Sequence, residues 1–450
     1  MLQKVMSLSL RSKYTIFLMC IFNIALFIRD VNDIPIPRIF FILVTALIFC
    51  ATDFKYIIAF VSFLFPSSAG LPFFEILALA MVFGVPKIRS SIRINTWLLV
   101  CALLILMRET YAFFSLAFVS MPILALNYYL LFFFPCVFIP SCYKKIDYPL
   151  VLKAYLLGTF FMATNIFFQY VSVYGLADFL ELGVRIGDTR TALGYGAAGL
   201  RVSNNQNVLG VLCSTALYVF LILNYKKLLP AYYAFLIPFI IGFGLLTQSR
   251  AFMLALVVIF AYYIVAVILE NKKNNIRSIS SIAVPIATAV LCFVAFFHFL
   301  PQFADNLMGR LETDDITGGR GDIINYFNSF LLNNPRFLFF GAGGIQGYRQ
   351  YAGTTFGAHN GLQQVLLTWG VAGLSVVGVI MYHLYKAAVA GSKLEFLGFL
   401  PIFMYFWNLM TFQWFSSATM LLLNMIWFCT IKVLVVNVPD ETLRAENLYA

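Results

Sequence analysis

Apolar runs about as long as a bilayer is thick recur along this chain, each closed by a short polar turn. The pattern predicts membrane helices near residues 14–29, 38–53, 56–68, 70–86, 95–108, 121–142, 150–175, 206–225, 230–247, 251–270, 279–300, 361–385, 395–411 and 416–437. Pro66-Ser67-Ser68-Ala69-Gly70 breaks one stretch into short pieces, so twelve to fourteen spans are expected. Two polar interruptions are long enough to carry structure, 177–205 and 301–360. In the second, Asp322 to Leu332 places Ile323, Ile324, Phe327, Phe330 and Leu331 on one helical face, and Asn333-Asn334-Pro335 ends it. No internal repeat or soluble domain interrupts the pattern. The expectation is one all-α polytopic integral membrane domain over residues 1–450, with a long loop holding short helices.

Composition supports this and removes other classes. Apolar residues make up 62% of the chain, charged residues 11%, and mean hydropathy is +0.90, whereas soluble proteins carry about 25% charge. The formal charge of +11 is spread over short loops and does not point to nucleic acid. The run Tyr14 to Ile28 follows Lys4, Arg11 and Lys13 with no small-residue cleavage site, so it is expected to be a retained first span. Eight cysteines, nearly all in apolar runs and with no CxxC pair, imply neither a zinc site nor a disulfide framework. No cofactor is expected, though Asp314-Asp315 could bind a divalent metal or act as a base, or be solvated loop residues.

The two basic residue types separate. All fourteen lysines fall on one side of the span pattern or at span ends facing it. The positive-inside rule makes that side cytoplasmic, with both termini there. The opposite side carries Arg29, Arg38, Arg108, Arg185, Arg190, Arg201, Arg250, Arg310, Arg320, Arg336 and Arg349. Planar guanidinium groups suit phosphate or carboxylate. For any one arginine the alternative is a salt bridge to a loop carboxylate such as Asp188, Asp305 or Asp322.

Candidate chemistry gathers on that side. Of three histidines, His298, His359 and His383, only His359 closes the long loop, in Gly357-Ala358-His359-Asn360. An imidazole there could act as acid or base, or cap the next span. Asn360 could orient that ring or cap the helix. Arg250 stands at a tight turn after Thr247-Gln248-Ser249, as a clamp for a lipid-linked anion or a snorkelling helix end. Arg320 opens the loop helix, where backbone amides also favour anions, or pairs with Asp322 or Asp314. Arg336 and Arg349 are further loop guanidinium groups expected to bind substrate. Arg201, Asn204 and Asn207 offer donors and acceptors for sugar hydroxyls, or cap a span. Gly341-Ala342-Gly343-Gly344 could form a phosphate nest. Glu75, within an apolar run, needs a partner that the sequence does not identify.

These segments together resemble the O-antigen polymerase and O-antigen ligase family of bacterial inner membranes. His359-Asn360, nine residues, Gly370, two residues and Gly373 are similar to its His-[Asn/Ser/Gln]-x9-Gly-x2-[Gly/Thr/Tyr] pattern. Thr247 to Ala251 is similar to its arginine turn. Arg320, Asn333-Asn334-Pro335 and Gly341-Ala342-Gly343 resemble its loop segment. Gly199-Leu200-Arg201 to Asn207 resembles its entry to a span, with Gln206 where proline is usual. The resemblance covers about residues 195–385 and implies a GT-C-like fold. It further implies inverting, metal-independent glycosyl transfer from an undecaprenyl-diphosphate-linked oligosaccharide. Arg250 and Arg320 would then hold the diphosphate and His359 would serve the acceptor hydroxyl. Membrane lipid and a chain-length regulator protein are the other expected partners. A polymerase joining lipid-linked repeats is the first expectation. A ligase passing glycan to lipid A-core is the alternative, and a flippase is disfavoured because the chain lacks paired broken halves.

Overall fold

The computed structural model describes residues 10–115, 130, 132–187, 206–274, 280–312, 320–343, 347–354, 356–358, 360–390, 392–411 and 418–436. Its helices begin with α1 (Leu10–Val31), α2 (Arg38–Ala51), α3 (Phe54–Leu64), α4 (Phe73–Ile88), α5 (Thr96–Ser115) and α6 (Tyr148–Tyr174). They continue with α7 (Leu176–Glu181), α8 (Gln206–Tyr225), α9 (Leu236–Leu246), α10 (Arg250–Asn274), α11 (Ser280–Phe299) and α12 (Pro301–Leu311). The last are α13 (Arg320–Asn333), α14 (Pro335–Phe340), α15 (Gly347–Tyr351), α16 (Gly361–Val389), α17 (Phe399–Thr411) and α18 (Ala418–Val433). Among the described residues the one β pairing joins Lys393–Leu394 to Val435–Val436. The chain is an all-α, multi-pass membrane protein.

Most predicted spans coincide with helices to within a few residues. Part of the span expected at 121–142 lies outside the described residues. Its described end is a π-turn at Phe134–Phe138 rather than a straight helix, as Pro135 and Pro140 would dictate. Among the described residues, five helices are long and apolar enough to cross a membrane, or six if the pair Ala283–Phe299 and Pro301–Gly309, bent by 99°, is counted as one span. Five further apolar helices run 10–17 residues. At 1.5 Å per residue these reach about 15–26 Å, short of a hydrocarbon core of about 30 Å. The expected twelve to fourteen spans include these shorter apolar helices as well as the long ones.

The core sits around α8, 94% of whose apolar window is buried, the position of a helix that is hydrophobic all round. Tyr155 of α6 donates to the Leu212 carbonyl of α8 at 3.1 Å. Backbones come close at Gly158, where a Cβ would lie 2.0 Å from the Phe63 carbonyl oxygen, the small-residue packing usual between membrane helices. The two ends of α8 differ. Lys226, just past its C-terminus, pairs with Glu395, while Asn207, near its start, meets the turn before α10. Nineteen residues of helix separate these ends by about 28 Å.

At the Asn207 end, α13, α14 and α15 form a layer with its own small core. Phe327, Leu331, Phe337, Ala342, Tyr348, Ala358 and Leu367 are buried together there. The predicted amphipathic face of α13 is the face that packs.

Candidate active site

Arg250 is the first residue of α10 and Arg320 the first of α13. Arg320 holds its proton less tightly than an ordinary arginine, chiefly through burial and secondly through the charge of Arg250. Two guanidinium groups from distant parts of the chain therefore lie within electrostatic reach of each other. Helix starts carry positive partial charge, so both cations oppose their helix dipoles as well as one another. The sequence offered Asp322 as a neutralising partner for Arg320, but neither residue forms an ion pair among the described residues. Both arginines stay charged at neutral pH. The outcome is a positive site suited to a phosphate or diphosphate.

The turn presenting Arg250 is braced from behind. Thr247, Gln248 and Ser249 are buried, and Gln248 adopts a left-handed φ of 47°. Buried Arg185 donates through Nε to the Thr247 carbonyl at 2.8 Å and through Nη2 to the Gln248 carbonyl at 3.3 Å. Gln248 Nε2 donates to the Gly183 carbonyl at 3.1 Å. Ser249 Oγ donates to Asn207 Oδ1 at 3.4 Å, so Asn207 secures the turn. The segment after α7 thus fixes the start of α10.

The α16 start abuts α13. Gln363 Nε2 donates to the Ile324 carbonyl at 2.8 Å and to Asn328 Oδ1 at 2.9 Å, and Ile324 is about one turn beyond Arg320. Asn360 is the N-cap of α16, accepting from the Gln363 amide at 3.1 Å. Of the two roles the sequence left open for Asn360, capping is the observed one. Buried Tyr348 accepts a hydrogen bond from the Ala358 amide at 3.0 Å. His359, Arg201 and Asn204 lie outside the described residues.

Gly370 explains how the loop layer docks. It breaks α16 with φ 68° and ψ −168°. The Leu367 and Thr368 carbonyls accept from the amides of Ala342 and Gly343, both at 2.8 Å. A Cβ on Gly370 would stand 2.3 Å from the Phe339 carbonyl, and one on Gly341 would stand 2.3 Å from Thr368. The amides expected to make a phosphate nest at Ala342 and Gly343 are therefore engaged by α16, which corrects that reading. Gly373 leaves room for Trp369, whose Cβ lies 2.0 Å from where its own would be.

The remaining arginines divide. Arg29 is buried against Asp30, with Nη2 2.6 Å from Oδ1. Arg38 is the partner of Glu75 at 3.1 Å. Arg108 donates to the carbonyls of Phe340 at 3.1 Å and Gly341 at 2.7 Å. Arg349, in α15, is half-buried, and its Nε has no hydrogen-bond partner among the described residues. Exposed Arg336 stacks its guanidinium over Phe337, 4.9 Å from the ring centroid, away from Arg320. Sequence reasoning missed Arg185 as the brace, Gln363 as the tie and Arg108 as a loop anchor. A lone arginine or glutamine carries no signal of which carbonyl it will meet.

No curated protein matches the chain. Residues 234–378 match the family model described as O-antigen ligase, a stretch that contains Arg250, Arg320, the loop layer and both motif glycines. With its arginine pair, loop helices and glycine-broken helix all inside it, that match supports a place in the O-antigen ligase and polymerase family, whose members are glycosyltransferase-like ligases and polymerases.

Proposed function

We propose that this protein is an O-antigen or surface-polysaccharide polymerase, moving a growing glycan from undecaprenyl diphosphate onto an incoming lipid-linked repeat. The supporting observation is the Arg250–Arg320 juxtaposition at two helix starts. A diphosphate leaving group gathers negative charge as it departs, and fixed guanidinium groups stabilise that charge without reorganising. In this reading the acceptor hydroxyl oxygen attacks the anomeric carbon from the face opposite the diphosphate. The new C–O bond forms, the bond to the diphosphate breaks with its electron pair, and configuration inverts. His359 takes the hydroxyl proton, and Arg349, whose Nε has no hydrogen-bond partner among the described residues, is a further donor toward substrate. The arginine end faces the periplasm and the Lys226–Glu395 end the cytoplasm of a bacterial inner membrane. A chain-length regulator is the expected protein partner.

Transfer to lipid A-core is the second reading, because the matching family model is described as a ligase. A deletion strain separates them. Single repeats attached to core mean a lost polymerase, and core bearing no repeat means a lost ligase. In that strain Arg250→Ala, Arg320→Ala and His359→Ala each cut long-glycan formation by about 10²–10³-fold, with membrane insertion unchanged. Full activity in any of the three removes that residue's assigned role.

A further inference from the structure

A groove of about 480 Å³ opens beside the loop layer, between the C-terminal part of α5 and α14–α15. This is the size of an ordinary ligand cleft. Arg108 and Arg336 line it with Tyr111, Phe337, Tyr351 and Gly341, and among the described residues no carboxylate does. Arg108 spends Nε and Nη2 on the loop carbonyls yet keeps its full positive charge, and its guanidinium lies 5.7 Å from the Tyr111 ring centroid. Arg336 is exposed and makes no hydrogen bond to a described residue. The groove is separate from the arginine pair. Phe330, ten residues along α13 from Arg320, stacks on Phe337 with centroids 5.5 Å apart, which sets the two sites about 15 Å apart along that helix.

We propose that this groove binds an acidic sugar residue of the substrate glycan, set back from the reacting end. The proposal rests on the glycan-transfer reading above. Two guanidinium groups with no lining acid select a carboxylate or phosphate substituent. The aromatic side chains supply apolar faces for the sugar ring, and the tyrosine hydroxyls supply polar tips. A phospholipid headgroup would use the cations but would leave the ring faces without a function. The pair Arg250–Arg320 holds the diphosphate, and the groove holds charge further along the same chain of sugars.

The test uses full-length protein in detergent and two probes, a tetrasaccharide alternating glucuronic acid with N-acetylglucosamine, and neutral chitotetraose. The acidic probe is expected to bind at least about tenfold more tightly than the neutral one, and to weaken with salt. Arg336→Gln, a surface change without backbone bonds, is expected to weaken the acidic probe about tenfold. Arg250→Ala and Arg320→Ala are expected to leave probe binding within about twofold. Equal binding of both probes, or an unaffected Arg336→Gln, overturns the proposal. So does phosphatidylglycerol nanodisc stabilisation that Arg336→Gln abolishes in the absence of any saccharide binding. If the deletion strain still makes long glycan while Arg336→Gln loses the acidic probe, the transfer reading falls and the groove stands.

Discussion

Gly370→Ala tests whether the break in α16 holds the loop layer in place. At φ 68° and ψ −168° the backbone lies in a region open almost only to glycine, and an alanine there costs about 1–3 kcal/mol. Its Cβ would also stand 2.3 Å from the Phe339 carbonyl and 2.5 Å from the Phe340 amide nitrogen. Those are backbone atoms of α14, so relief requires the loop to move. Moving it removes the bonds from Ala342 and Gly343 to α16, both at 2.8 Å, at about 1 kcal/mol each. The sum is about 3–5 kcal/mol, carried by the loop layer. The control is Gly378→Ala in the same helix, where an added Cβ meets nothing within 4 Å and a change within about 1 kcal/mol is expected. Thermal unfolding in detergent and proteolysis of the loop report on both variants. Gly370→Ala should expose 335–343 to protease and abolish glycan assembly. A variant with the melting temperature and protease resistance of Gly378→Ala would refute the reasoning.

Two further substitutions probe the supports. Arg185→Ala leaves the buried carbonyls of Thr247 and Gln248 without their charged donor. It should cost about 3 kcal/mol and lower activity through Arg250, with little rescue by lysine, which lacks the planar fork; an unchanged melting temperature counts against the brace. Asp30→Ala strands Arg29 as a buried, uncompensated charge and removes the 2.8 Å bond from Asn165. A loss of about 3–5 kcal/mol is expected in detergent unfolding, and a loss under about 1 kcal/mol would show that water or lipid headgroups reach Arg29.

The membrane helices were legible because length and apolarity are local quantities. The run 206–225 coincides with α8 to the residue. The loop helix was legible through its 3.6-residue pattern, and the packed Phe327 and Leu331 are where that pattern placed them. Long-range pairing was not legible. Glu75 showed only that it needed a partner, and Arg38, far off in sequence, became visible in three dimensions. Arg250 was marked by its tight turn, whereas Arg185 was one of many outer-loop arginines. Arg185 ended against buried carbonyls and Arg250 beside Arg320, and nothing local specifies either neighbour.

The spacing between Asn360 and Gly370 now has a mechanical reason. Asn360 caps α16 at one end of that interval and Gly370 breaks it at the other. Between them, Gln363 grips α13 near Arg320, and the Leu367 and Thr368 carbonyls grip the loop at Ala342 and Gly343. α13 is therefore held by α16 at its start and, through Phe330 against Phe337, by the docked α14 at its end. One residue added between Gln363 and Leu367 would rotate Gln363 by about 100° relative to the carbonyls that dock the loop. Either the grip near Arg320 or the grip on the loop would then fail. The interval is a ruler that keeps a guanidinium group and a loop in fixed relation through the rigidity of the helix between its cap and its break.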